Sequence, residues 1–233
     1  MKKQLIIVFL LCLTGGLSFS QQGNYPTFDR KKVHFGFALG VNTADFHYRL
    51  HPSDSLTFDS IQSISIRRQP GFNLGIIGSW DIHETVHLRF IPSLSFSERL
   101  FQYEYFKNGE LKTRENRLES TNLDFPILLK LRTKRIINFA AYAIGGMQYS
   151  LDLASQNDVE QLISDPIVKI KKHDFAYQVG GGFDFWLPYF KFGIELKLSN
   201  GIRNVAIQDG TFFMRPLESL RNKIWWFSLT FEG

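Results

Sequence analysis

The chain has a single cysteine, Cys12, and it lies within the first twenty residues. Loss of that segment leaves no thiol, which excludes a disulfide framework and any thiolate metal site. No apolar run approaches the about 20 residues that a membrane-spanning helix needs. An excess of one charge is also lacking. The chain carries 27 Lys and Arg against 22 Asp and Glu, a net +5, and removal of Lys2 and Lys3 leaves +3. Acids are interleaved with the bases, so no polyanion-binding stripe forms and nucleic acid is not an expected partner. Catalytic signatures are missing too: there is no GxSxG, HExxH, Walker or dinucleotide-binding fingerprint.

Two weaker patterns imply no chemistry. HPSDS (His51 to Ser55) gathers catalytic residue types in one loop, but a catalytic constellation is defined by geometry and not by composition. His83 and His87 are four apart, which aligns side chains on a helix but not on a turn entering a strand. His34, His47 and His173 have no ligand spacing. No enzyme, cofactor, metal site or small-molecule substrate is expected.

What is present is apolar and aromatic. Hydrophobic residues make up 44% of the 233, aromatics 15%, and phenylalanine alone contributes 23, too much for a disordered chain and suited to strands. MKKQLIIVFLLCLTGGLSFS has a short basic start, a compact apolar core from Leu5 to Leu13, and small residues at Ser18 and Ser20. These are the marks of a signal peptide cleaved before Gln21. Bulky Leu11 before Cys12 argues against lipid attachment there. Residues 21–32 read as a polar periplasmic arm and 33–233 as the folded domain.

That domain divides into segments of alternating polarity. In FKFGIELKLSN, Phe190, Phe192, Ile194, Leu196 and Leu198 alternate with Lys191, Glu195 and Lys197, the period of a strand. Seven other segments behave alike: VHFGFALGV (Val33 to Val41), GFNLGIIGSW (Gly71 to Trp80), VHLRFIPSLSF (Val86 to Phe96), NLDFPILLKL (Asn122 to Leu131), FAAYAIGGMQYSLDL (Phe139 to Leu153), FAYQVGGGFDF (Phe175 to Phe185) and KIWWFSLTF (Lys223 to Phe231). Phe46 and Tyr48, then Phe101, Tyr103 and Tyr105, fall out of phase with the strands before them, which predicts bulges near Asn42–Asp45 and Glu98–Arg99. Connections alternate long and short, the rhythm of an up-and-down membrane barrel with both termini on the periplasmic side. Asn108–Gly109 marks a hairpin turn that can carry strands three and four beyond the bilayer as a ribbon.

The weaker faces decide which side meets water. Gly36, Ala38, Gly40, Gly71, Gly75, Gly180, Gly182 and Gly193 lie there, and small residues suit a narrow interior. The bulky faces suit lipid, which favours an all-β, eight-stranded antiparallel up-and-down transmembrane β-barrel over a soluble lipocalin-like one. Arg89, Asp124, Lys130, Asp184, Lys191, Glu195 and Lys197 then face the lumen, where mixed signs must pair. Trp80, Phe90, Phe139, Trp186 and Phe190 are expected in one aromatic girdle, and Tyr48, Tyr103, Tyr149 and Trp225 in the other. In the short turn RTKRIIN, Arg132, Lys134 and Arg135 are candidate partner contacts, with ordinary solvation as the plainer expectation.

YFKFGIELKLSNGIRN (Tyr189 to Asn204) resembles the seventh strand and following loop of the PorT family, outer-membrane barrels of the type IX secretion system of Bacteroidetes. ESTNLDFPILLKLR, AYAIGGMQYSLDLAS and FAYQVGGGFDFW are similar to further segments of that family. The resemblance implies a Gram-negative outer-membrane location, other secretion-system proteins as partners beside the lipid bilayer, and a part in exporting cargo that carries a C-terminal secretion domain. It implies no catalytic residue. A stand-alone structural or adhesive barrel of the small porin-like type is the alternative. The ending departs from the usual barrel, since Phe231 is followed by Glu232 and Gly233.

Overall fold

The computed structural model describes residues 24–25, 28–50, 61–107, 110–154, 170–208 and 217–233. The expected signal peptide, HPSDS and the Asn108–Gly109 turn lie outside the described residues. Among the described residues, one 3-10 turn, Phe28–Arg30, precedes ten strands. They are β1 (Val33–Leu50), β2 (Ile61–Arg68), β3 (Pro70–His83), β4 (Val86–Phe90), β5 (Ser93–Lys107), β6 (Glu110–Arg132), β7 (Phe139–Asp152), β8 (His173–Trp186), β9 (Lys191–Gly201) and β10 (Leu217–Glu232).

These ten strands form eight staves. β2 and β3 both pair with β5 and are parted only at Gln69. β4 and β5 both pair with β6 in one unbroken register, from Val86↔Leu131 to Lys107↔Glu110, and are parted at Ile91–Pro92, where proline offers no N–H to a ladder. The order β1-β10-β9-β8-β7-β6 continues through the β4/β5 stave to β3, and β3 pairs with β1 to close the ring. Every pairing is antiparallel, and each joins staves that are neighbours in the chain except that of β1 with β10, the first with the last. The β1–β3 ladder ends at Thr43↔Pro70. Beyond it, side chains bridge the seam: Arg68 Nε donates to Asp45 Oδ2 at 2.9 Å and the Tyr48 hydroxyl to the Ile64 carbonyl at 3.2 Å. β5 and β6 continue as a ribbon to Lys107↔Glu110, as the Asn-Gly turn suggested.

The period-two pattern explains the ring. On β1 the outward Phe35 is 67% exposed while its neighbour His34 is 1% exposed. An exterior of phenylalanine, leucine and isoleucine around an interior of buried charges is stable only where the surroundings are hydrocarbon, so the barrel is a transmembrane one. Inward glycines let the wall close. A Cβ at Gly182 would lie 2.3 Å from the Ile194 carbonyl oxygen and 2.6 Å from the Tyr142 hydroxyl.

Neither expected bulge forms. β1 keeps its even-numbered residues inward through Phe46, and the β4/β5 stave keeps its odd-numbered residues inward through Tyr103. The phase appeared to flip because the interior changes character and not because the backbone does. Towards the end of the barrel away from the termini, Phe46, Phe101, Tyr103, Ile170, Val205, Ala206, Leu217 and Leu220 form a buried apolar cluster, with Tyr48, Ile64, Ile66 and Leu118 packed against it. Segments outside the ring help to build this lid: Lys171 N–H donates to the Val205 carbonyl, and Val205 N–H to that of Leu220.

Candidate functional site

Below the lid the lumen is polar. Arg99, 1% exposed, donates to Ser120 at 3.2 Å and to Asn222 at 3.0 Å, and its guanidinium lies 4.3 Å from the Phe46 ring centre. The next layer is centred on Asp124, which accepts from Ser95 at 2.7 Å, Gln148 at 2.7 Å and Ser150 at 2.6 Å. Three neutral donors thus satisfy one buried carboxylate. Gln178 donates in turn to Gln148.

The middle layer holds the strongest electrostatics. Arg89 Nη1 lies 2.6 Å from Glu195 Oε2 and Arg89 Nη2 lies 3.3 Å from Glu232 Oε1. Lys197 pairs with Glu195 at 2.5 Å, Lys191 with Glu232 at 2.9 Å, and Lys130 with Asp184 at 2.7 Å. The Tyr142 hydroxyl also donates to Glu195 at 3.1 Å, and Lys130 Nζ lies 3.7 Å from the Tyr142 ring centre. Six staves converge here. All seven charged positions expected in the lumen are buried on its inner face. They hold four cations and three acids; Glu232, which that set lacked, brings the acids to four. The signal was present in β10, where Ser228, Thr230 and Glu232 alternate with Phe227, Leu229 and Phe231. This ending is therefore a structural member of the network, whatever it does for assembly.

At the mouth beside the termini, the described part of the N-terminal arm fills the opening. Phe28, 1% exposed, stacks on His34 with centroids 3.8 Å apart and meets Trp186 edge-on at 6.4 Å. Asp29 pairs with Arg132 at 3.3 Å and Arg135 at 3.0 Å. Arg135 also donates to the carbonyls of Ile137 and Asn24. Asn24 N–H donates to Asn138 Oδ1 at 2.6 Å, and its side chain to the Trp186 carbonyl at 3.1 Å. Asp81 lies 3.2 Å from His34 Nε2 and 2.5 Å from His87 Nδ1, so two histidines of different staves share one carboxylate.

This geometry corrects several expectations. Trp186 is not a girdle residue: at the end of β8 it keeps the inward parity of Asp184 and lies under the Arg132 and Arg135 guanidinium groups at 5.1 Å and 4.6 Å. Tyr48 and Tyr103 belong to the apolar lid and not to the outer wall, because the phase does not flip before them. Trp80, Phe90, Phe139 and Trp225 are exposed outside, while Tyr149 and Phe190 are half-buried, Tyr149 beside Phe125 and Phe175 and Phe190 against Phe231. Of the three basic residues in the turn, Arg132 and Arg135 are engaged by the chain's own arm, and Lys134 is exposed. Spacing alone could not reveal the arm's docking, which joins Asp29 to residues more than a hundred positions away.

Residues 19–206 match the family model described as an outer membrane protein beta-barrel domain. No curated protein matches the chain. Among solved structures, the outer membrane protein OprG of Pseudomonas aeruginosa is similar at 13% identity and a TM-score of 0.45, covering 92% of this chain and 98% of that one. Neisserial surface protein A is similar at 10% identity and a TM-score of 0.43, covering 86% and 96% respectively. Ail, the attachment invasion locus protein of Yersinia pestis, is similar at 11% identity and a TM-score of 0.40, covering 87% and 100%.

Proposed function

The chain belongs to the outer membrane protein β-barrel domain family and is an outer-membrane barrel of the small porin-like type; from that premise we propose that it serves type IX secretion. Its part is that of a non-enzymatic component which assists export of cargo bearing a C-terminal secretion domain without conducting it. Support for the secretion role comes from YFKFGIELKLSNGIRN and the three further segments that resemble the PorT family. The observation that carries the second half is the lumen. Eight strands enclose a space that side chains can just fill, and Arg89, Lys130, Lys191 and Lys197 with Asp184, Glu195 and Glu232 occupy it. A folded cargo has no path through such a layer. The working surfaces are then the turns beside the termini, placed in the periplasm, the loops at the far end, and the lipid-facing wall.

Deletion of the gene is expected to leave cargo in the periplasm while bulk outer-membrane proteins change little, as read by comparing extracellular and periplasmic proteomes. An unchanged secretome in an organism that has the rest of the system would falsify the secretion role and favour a stand-alone structural or adhesive barrel. Reconstituted in a planar bilayer, the purified barrel is expected to show no stable conductance. A steady open channel would overturn the claim that the lumen is not a conduit.

A further inference from the structure

The seat of the N-terminal arm has the properties of a binding site. Rigid strand ends build it: His34 from β1, Arg132 from β6, Ala140 from β7, Trp186 from β8 and Lys191 from β9. Its occupants, Phe28 and Asp29, come from outside the ring and belong to no strand. The Phe28 ring is held by His34 and Trp186, and Lys191 Nζ lies 4.4 Å from its centre. Next to it, the Asp29 carboxylate is the one acid, among the described residues, in ion contact with Arg132 and Arg135.

Lifting the arm would leave two aromatic faces wet and two guanidinium groups without a counter-charge, one of them 9% exposed. Both changes are unfavourable, since a buried cation needs a partner and a desolvated ring attracts cations and other rings. The pocket therefore selects its occupant by chemistry: an aromatic ring followed at once by a carboxylate. We infer that this mouth is a receptor for an aromatic–acidic peptide segment, filled in cis by the chain's own Phe28–Asp29 and open in trans to a partner segment of the same chemistry. The site does not depend on the secretion role. Attachment to β1 gives the arm an effective concentration of about millimolar, so a partner must exceed it by further contacts.

The test uses the detergent-solubilised mature chain and a fluorescent synthetic peptide of residues 24–32, NYPTFDRKK, as probe. Phe28→Ala with Asp29→Ala empties the seat, and this variant is expected to bind the probe saturably by anisotropy, about tenfold or more tighter than the wild-type barrel. Adding Arg132→Gln and Arg135→Gln, or giving the probe the same two alanines, should weaken binding by about tenfold or more. Absent binding to the emptied variant, binding equal to wild type, or indifference to the arginines would overturn the inference. If the emptied variant does not assemble, amide exchange decides. Asn24→Cys with Asn138→Cys places thiols where the two residues already touch, and excess probe should speed exchange at Phe28 and Lys31 in the reduced chain but not in the disulfide-locked one. Unchanged exchange in the reduced chain would equally overturn it.

Discussion

Glu195→Gln is expected to destabilise the purified barrel by about 3–5 kcal/mol, the cost of leaving buried charges uncompensated. Glu195 is fully buried and is met by Arg89 at 2.6 Å, Lys197 at 2.5 Å and the Tyr142 hydroxyl at 3.1 Å. Glutamine has nearly the same size and still accepts hydrogen bonds, so the loss reports charge and not packing. Arg89 would retain Glu232, but Lys197 would keep no acid partner among the described residues. The pairing makes a second demand. Because Arg89 and Glu195 touch, Arg89→Gln and Glu195→Gln should not be additive, and the double variant should recover about 0.5–3 kcal/mol relative to the sum of the singles. Urea titration in micelles, followed by tryptophan fluorescence and by the gel shift on boiling, measures both. A single-variant loss below about 0.5 kcal/mol, the range of an exposed ion pair, would mean that water screens the layer and would remove the support for a closed lumen.

Ile76→Lys should cost about 2–4 kcal/mol and lower the yield of assembled barrel, because a cation near the middle of the lipid-facing wall meets hydrocarbon. Ile76 lies midway along β3, opposite Phe37, and is 67% exposed. In a water-soluble barrel the same change would be neutral or would improve solubility. The adjacent Ile77, fully buried in the small lumen cluster with Ala38, Ile91 and Leu128, gives the contrast. Ile77→Ala should also destabilise, by about 2–5 kcal/mol, but through a cavity that leaves insertion intact. Folding into vesicles distinguishes them: Ile76→Lys should fold in detergent and insert poorly, and equal insertion of both variants would contradict the assignment of faces.

The division between what was legible and what was not follows from the range of the forces. Side-chain alternation is a property of the strand backbone itself, so Phe35 against His34, Ile76 against Ile77 and Ile194 against Glu195 were assignable residue by residue from the sequence. Those assignments led to eight staves, the lipid-facing wall and the inward charges. Parity also puts Trp186 and Glu232 inside, in phase with Asp184 and Thr230 of their own strands, because alternation holds to the strand ends whatever the residue type there. What local periodicity could not carry was the composition of the interior along the barrel axis. Phe46 and Phe101 point the same way as Asn42 and Ser97 before them, but only the approach of Ile170, Val205 and Leu217 makes that end of the lumen apolar. The pairing within the lumen was likewise undetermined: Arg89, Lys130, Lys191 and Lys197 with Asp124, Asp184, Glu195 and Glu232 alone allow many matchings, and the stagger of the staves selects Arg89 with Glu195 across 106 residues. The arm's place was decided last and most remotely, because Phe28 and Asp29 gain partners only after the ring has brought His34, Arg132, Arg135 and Trp186 to one mouth.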